Sequence, residues 1–200
     1  MIRAVIFDLD GTLTEFNVNV QEVKKAIGCG DMPILEFIMT LDEEERRRAG
    51  RILREEELRA AKSCELKKGV RELLEELRRM GLKLAILTRN NREAVELVLR
   101  RFQLKFDFVY TREDGKFKPS EEAMLRVLSA LGVSKDEAIF IGDHEIDRIC
   151  GNLSGVRTFI IGEDIKEIGE IIKLVENENN GSLSEGRVWK RGEEENRGKT

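Results

Sequence analysis

Five short apolar runs alternate with segments of helical period, and this alternation limits what the 200-residue chain can fold into. The runs lie at residues 2–7, 82–87, 106–109, 138–141 and 158–161. They are short and rich in β-branched residues, and they read as buried strands. Between them, Val70, Leu73, Leu74 and Leu77 share one helical face. Ala94, Val95, Val98, Leu99 and Phe102 share a second, and Met124, Leu125, Leu128 and Leu131 a third. Gly81 and Gly132 close two of these segments, as helix ends prefer. Strands alternating with helices predict an α/β fold, a doubly wound parallel sheet covered on both faces. Ligands of such sheets bind beyond the carboxyl ends of the strands.

Two regions break the alternation. Residues 15–65 contain no convincing strand and predict three helices, at about 20–27, 33–39 and 42–62. Residues 176–200 lose nearly all their apolar content and read as a solvated polar tail, with Trp189 as its lone aromatic group. The remainder, 1–14 and 66–175, forms the predicted core.

Composition narrows the function. Lys plus Arg number 35 against 39 Asp plus Glu, a formal net charge of −4. That balance argues against nucleic acid, which selects a basic surface. No run reaches the ~18–20 apolar residues of a membrane span. Seven residues precede the first acidic group, too few for a secretory leader, so the expected compartment is cytoplasmic. Cys29, Cys64 and Cys150 are odd in number and widely spaced, which predicts neither a disulfide framework nor a zinc site. The richness in Glu, Lys and Arg leans towards a thermophilic source.

The residues with chemical potential sit at strand ends. Asp8 and Asp10, in the run Asp-Leu-Asp-Gly-Thr, follow the first strand; two residues apart, their carboxylates can face one pocket. Thr88 follows the second strand, Lys118-Pro119 precedes the third helix-period face, and Gly142-Asp143-His144-Glu145-Ile146-Asp147 follows the fourth strand. Four aspartates at neighbouring strand ends repel; two unit charges ~4 Å apart cost ~4 kcal/mol at an effective dielectric near 20. Such a cluster calls for a cation, and an all-oxygen site suits Mg²⁺.

With its DxD, Thr, Lys and GDxxxD motifs in that order, the chain resembles the haloacid dehalogenase superfamily of phosphohydrolases over about residues 1–165. The resemblance implies a Rossmann-like sheet with a small α-helical cap, here residues 15–65, inserted after the first strand. It implies Asp8 as nucleophile, forming an aspartyl-phosphate, and Asp10 as general acid and base. Mg²⁺ would be held by Asp8, the Asp10 carbonyl and Asp143, with Asp147 assisting. Thr88 would bind phosphoryl oxygens, and Lys118 would orient Asp8. The implied activity is hydrolysis of small phosphorylated metabolites. Alternatives are a phosphosugar mutase with the same chemistry, or a receiver-like phospho-accepting module.

Arg89 and Asn90, next to Thr88, are candidate substrate contacts; a helix cap at Asn90 or Asn91 is the competing expectation. His144 reads as a neighbour of Asp143. The charged run from Glu43 to Arg59, Glu57 included, reads as an ion-paired exposed helix face. Cys64 and Cys150 read as packing residues. Met32, Pro33 and Phe37 could line the pocket, with packing within the cap the stronger expectation.

Overall fold

The computed structural model describes residues 1–180. Five strands, β1 (Ala4–Phe7), β2 (Lys83–Leu87), β3 (Phe108–Tyr110), β4 (Ala138–Gly142) and β5 (Arg157–Ile160), form one sheet in the order β3-β2-β1-β4-β5. All pairings are parallel. The chain winds outward from β1 to β3, then returns across β1 to build β4 and β5. The point of reversal lies between β1 and β4, where ligands of open α/β sheets bind.

Register explains how the strand ends converge. Phe7 pairs with Ile86 on one side and Ile141 on the other. Asp8, Thr88 and Asp143 therefore leave the sheet at one edge, and the Asp8 amide donates to the Ile141 carbonyl at 2.9 Å. Side chains alternate between two cores, as strand geometry requires. Val5, Phe7, Leu84, Ile86, Ile139 and Ile141 meet α4 (Val70–Arg79), α5 (Arg92–Phe102) and α8 (Glu170–Asn179). Ala4, Ile6, Ala85, Leu87 and Phe140 meet α6 (Glu121–Leu131) and α7 (Glu145–Ser154) on the other face.

The sequence between β1 and α4 forms α1 (Val20–Ile27), α2 (Ile34–Thr40) and α3 (Glu43–Ser63). Asn19 caps α1 and Asp42 caps α3, each accepting from a backbone amide in the first turn. Val23, Ile38, Ala49 and Leu53 give these helices a small core of their own, and α3 packs along α5. The two connections to the sheet run side by side. Thr14 bridges Leu66, Glu15 N–H donates to Glu65 O, and Lys67 N–H donates to Leu13 O.

Two boundaries differ from the sequence reading. Phe106 lies before β3 and packs edge-on against Phe7 at 6.5 Å instead of pairing in the sheet. Helix α8 continues to Asn179, four residues into the stretch read as tail. Its last turn is polar in composition yet anchored, because Asn179 accepts from the Ile2 amide and Glu178 pairs with Arg157. The rest of the predicted tail, 181–200 with Trp189, lies outside the described residues. Among the described residues, no helix is long and apolar enough to cross a membrane.

Candidate active site

Asp8 sits one residue past β1, buried, because the strand before it is wholly enclosed. Its Oδ1 lies 2.8 Å from Lys118 Nζ, and Lys118 is 2.6 Å from Asp147 Oδ1. Lys118 is itself 2% exposed, so one buried ammonium serves two buried carboxylates. Asp147 uses its other oxygen on the amides of Asp143 and His144 at 3.2 Å, closing the first turn of α7. His144 caps the same helix, its Nδ1 accepting from the Ile146 amide.

Carboxylate oxygens of Asp8, Asp143 and Asp147 all lie within 4.8 Å of one another. This hard, all-oxygen donor set fits a magnesium-like cation. Two glycines allow the approach. Gly11 has φ +87°, and a Cβ there would lie 2.0 Å from Asp143 Oδ2. A Cβ on Gly142 would lie 2.4 Å from Asp147 Cβ. Thr12 donates to Asp143 Oδ1 at 3.2 Å, leaving Oδ2 turned to the Gly11 side.

Burial, reinforced by Asp147 and Asp10 and opposed by Lys118, pushes the Asp8 carboxyl up to about 7. Burial also raises Asp10, against a hydrogen bond from Asn90, and raises Asp143 together with repulsion from Asp147. Burial alone would lower Lys118, but Asp147 and Asp8 outweigh it and hold the ammonium charged well above the ordinary lysine range.

A cavity of about 450 Å³ opens over these groups, lined on the sheet side by Asp8, Asp10, Thr88, Asn90, Lys118 and Asp143. Asp10 and Asp8 thus reach one cavity. The Thr88 hydroxyl is buried and accepts from the Asn90 amide at 3.1 Å. Asn90 is no simple loop residue: its Nδ2 donates to Asp10 Oδ2 at 2.7 Å. The helix cap of α5 is Asn91, accepting from Ala94. Arg89 lines the cavity, but its Nη2 donates to both carboxylate oxygens of Glu36 of α2, each at 2.7 Å, and its guanidinium lies over the Phe117 ring.

Glu57 departs most from the sequence reading. It is buried, lines the cavity, accepts from Asn91 Nδ2 at 2.6 Å and takes a bidentate grip from Arg112. Its neighbours Arg47 and Arg54 do pair with exposed carboxylates, as an ion-paired face would, and Arg59 pairs with the half-buried Glu56. The overlooked signal was spacing: Ala49, Leu53, Glu57 and Ala61 recur every four residues, placing Glu57 on the buried stripe of α3. Of the residues proposed near the pocket, Pro33 lines it and Met32 and Phe37 do not. The apolar lining comes instead from Phe16, Val18, Val20, Ile34, Leu35 and Leu53. Cys64 and Cys150 are buried, and burial pushes the Cys150 thiol up to about 12.

Comparisons with known proteins agree with this geometry. The model of haloacid dehalogenase-like hydrolases matches residues 5–161. An uncharacterized hydrolase of Saccharomyces cerevisiae is 30% identical over 206 residues, covering 91% of this chain and 94% of that one. Pyrophosphatase PpaX of Halalkalibacterium halodurans is 31% identical over 184 residues, covering 82% and 86%. The crystal structure of a hydrolase from Pseudomonas syringae superposes with a TM-score of 0.70 at 23% identity, covering 86% and 90%. The chain belongs to the haloacid dehalogenase-like hydrolases.

Proposed function

We propose that the protein is a Mg²⁺-dependent phosphatase that hydrolyses small phosphomonoesters through an aspartyl-phosphate on Asp8. The observation that carries this is the shared cavity of Asp8 and Asp10, with Lys118 2.8 Å from the first and Asn90 2.7 Å from the second. The two carboxyl groups have different partners, which suits different roles. Burial raises both carboxyls; at Asp8 the Lys118 ammonium 2.8 Å away opposes that rise most strongly and favours the charged form a nucleophile needs. At Asp10 burial is opposed chiefly by the Asn90 hydrogen bond, and the raised proton affinity suits a general acid.

The Asp8 carboxylate attacks phosphorus while the ester O–P bond breaks. Asp10 gives its proton to the departing alkoxide oxygen, so the alcohol leaves neutral. Asp10, now a base, takes a proton from water as that water attacks phosphorus, releasing phosphate and restoring Asp8. Thr88 keeps its hydroxyl proton for a phosphoryl oxygen, and Lys118 holds Asp8 in place. Asp147 fixes Lys118 and the first turn of α7 together.

Mg²⁺ held by Asp8, Asp143 and the Asp10 carbonyl, with Asp147 completing the acidic set, would supply positive charge to the phosphoryl oxygens. Helices α1–α3 act as a cap on this site, which favours small phosphorylated metabolites over phosphoproteins.

The test is phosphate release from p-nitrophenyl phosphate with and without Mg²⁺, comparing Asp8→Asn and Asp10→Asn. Wild-type turnover should require Mg²⁺, and both variants should lose it. Robust turnover by purified Asp8→Asn would sink the covalent mechanism. Conversion of a hexose 1-phosphate to another phosphate isomer, without free phosphate, would make the protein a mutase.

A further inference from the structure

We propose that the cavity selects phosphate esters of neutral, apolar alcohols over esters whose leaving group carries a carboxylate or a second phosphate. The proposal rests on the phosphatase reading and concerns only the half of the cavity facing away from Asp8. Three observations support it.

The wall contributed by the inserted segment is apolar: Phe16, Val18, Val20, Ile34, Leu35 and Leu53 all line the cavity. Asp10, against which the leaving group is placed, lines the same cavity as this wall.

The guanidiniums on that side are already matched. Arg89 Nη2 contacts both carboxylate oxygens of Glu36, and Arg112, behind the cavity-lining Glu57, is bidentate on it. Lys24 also lines the cavity; it bonds the Asp31 backbone carbonyl at 3.2 Å and has no carboxylate partner among the described residues, so it is the one cation on this wall that an anion could meet. Away from Lys24, an anionic leaving group would have to break an arginine pair or sit against aliphatic carbon. Either is a heavy penalty in a partly desolvated site.

The asparagine donors beside Asp10 are already engaged. A site built to read hydroxyls or carboxylates holds donors that only the substrate satisfies, and their lack is what lets such sites discriminate. Asn90 donates its side-chain amide to Asp10, and Asn91 donates to Asn90 and to Glu57.

The experiment compares kcat/KM with Mg²⁺ for n-propyl, n-pentyl and n-heptyl phosphate, whose leaving alcohols have similar acidity, and for 2-phosphoglycolate and inorganic pyrophosphate. Each buried methylene should raise kcat/KM roughly three- to fourfold, so pentyl should exceed propyl by about tenfold. Phe16→Ser and Ile34→Asn should flatten that series. Phe16 is half-exposed, so its variant should fold even if the other does not. A flat alkyl series, or phosphoglycolate or pyrophosphate turned over faster than pentyl phosphate, overturns the proposal and leaves the phosphatase reading standing. Failure of the wild type to hydrolyse any ester overturns both.

Discussion

Removing Glu57 tests the unexpected part of the site. The Glu57–Arg112 pair joins inserted helix α3 to the loop after β3, with side chains 8% and 13% exposed. Burial raises the proton affinity of Glu57 even though Arg112 opposes it, so the intact pair adds little net stability. The damage from Glu57→Ala comes from what stays behind. Arg112 keeps only the Arg89 carbonyl at 3.0 Å, and Asn91 Nδ2 keeps only a 3.3 Å contact with Asn90. Removing one partner of a buried pair costs about 3–5 kcal/mol, which in a chain this size lowers Tm by roughly 10 °C.

A double-mutant cycle separates this from lost packing. Glu57→Ala, Arg112→Ala and the double variant would be unfolded in urea and their free energies compared. The double variant should lose less than the two single losses combined, by about 2–3 kcal/mol. Glu57→Ala should also lower kcat, because Asn90, which donates to Asp10, is itself held by Asn91 on Glu57. Additive losses within ~0.5 kcal/mol, or a Glu57→Ala variant as stable as the wild type, would refute the reasoning.

The folded-state proton affinity of Asp8, raised to about 7, exceeds the ordinary 3.8. In EDTA its stabilising contribution is therefore full below pH ~4 and lost as pH rises through about 7; Asp8→Asn should flatten that slope in urea titrations between pH 5 and 8. Gly11→Ala places a methyl 2.0 Å from Asp143 Oδ2 at φ +87°. It should raise the Mg²⁺ concentration for half-maximal activity ten- to a hundredfold, read from a metal titration. Glu36→Gln frees the Arg89 guanidinium while keeping the residue's shape. It should raise kcat/KM on 2-phosphoglycolate several-fold and leave alkyl phosphates little changed.

The sheet was legible because its signal is local. Each strand is a short apolar run ending in a turn, and each flanking helix carries a stripe such as Leu73, Leu74 and Leu77 that one enclosed core then absorbs. Asp8, Asp10, Thr88 and Asp143 were legible as candidates because they immediately follow strands, and parallel pairing brings such ends together. Arg89, Glu57 and the end of α8 were harder for the opposite reason: their environment comes from distant chain. Glu36 lies 53 residues from Arg89, and Arg112 lies 55 from Glu57. The last turn of α8 is polar in composition, and its anchors are Ile2 and Arg157. A charged residue reads as exposed until its partner is known.

Charge accounts for how the two halves of the cavity divide the task. On the sheet side, Asp8, Asp10, Asp143 and Asp147 face one buried ammonium, Lys118, which two of them already share. Even with Asp10 protonated, that set stays negative, and a phosphate monoester entering it would add further negative charge. At an effective dielectric near 20, each uncompensated pair ~4 Å apart costs ~4 kcal/mol. Lys118 cannot answer this alone, and Arg89 is held away on Glu36. A divalent cation held by the Asp8, Asp143 and Asp147 oxygens would bring the compensation to the phosphoryl end itself. With the charge balanced there, most of the opposite wall can be apolar, built from Phe16, Ile34, Leu35 and Leu53 with Lys24 and Asp31 among them. The closed Arg89–Glu36 and Arg112–Glu57 pairs fit the same division, since they fasten the inserted helices to the sheet without offering charge to the leaving group.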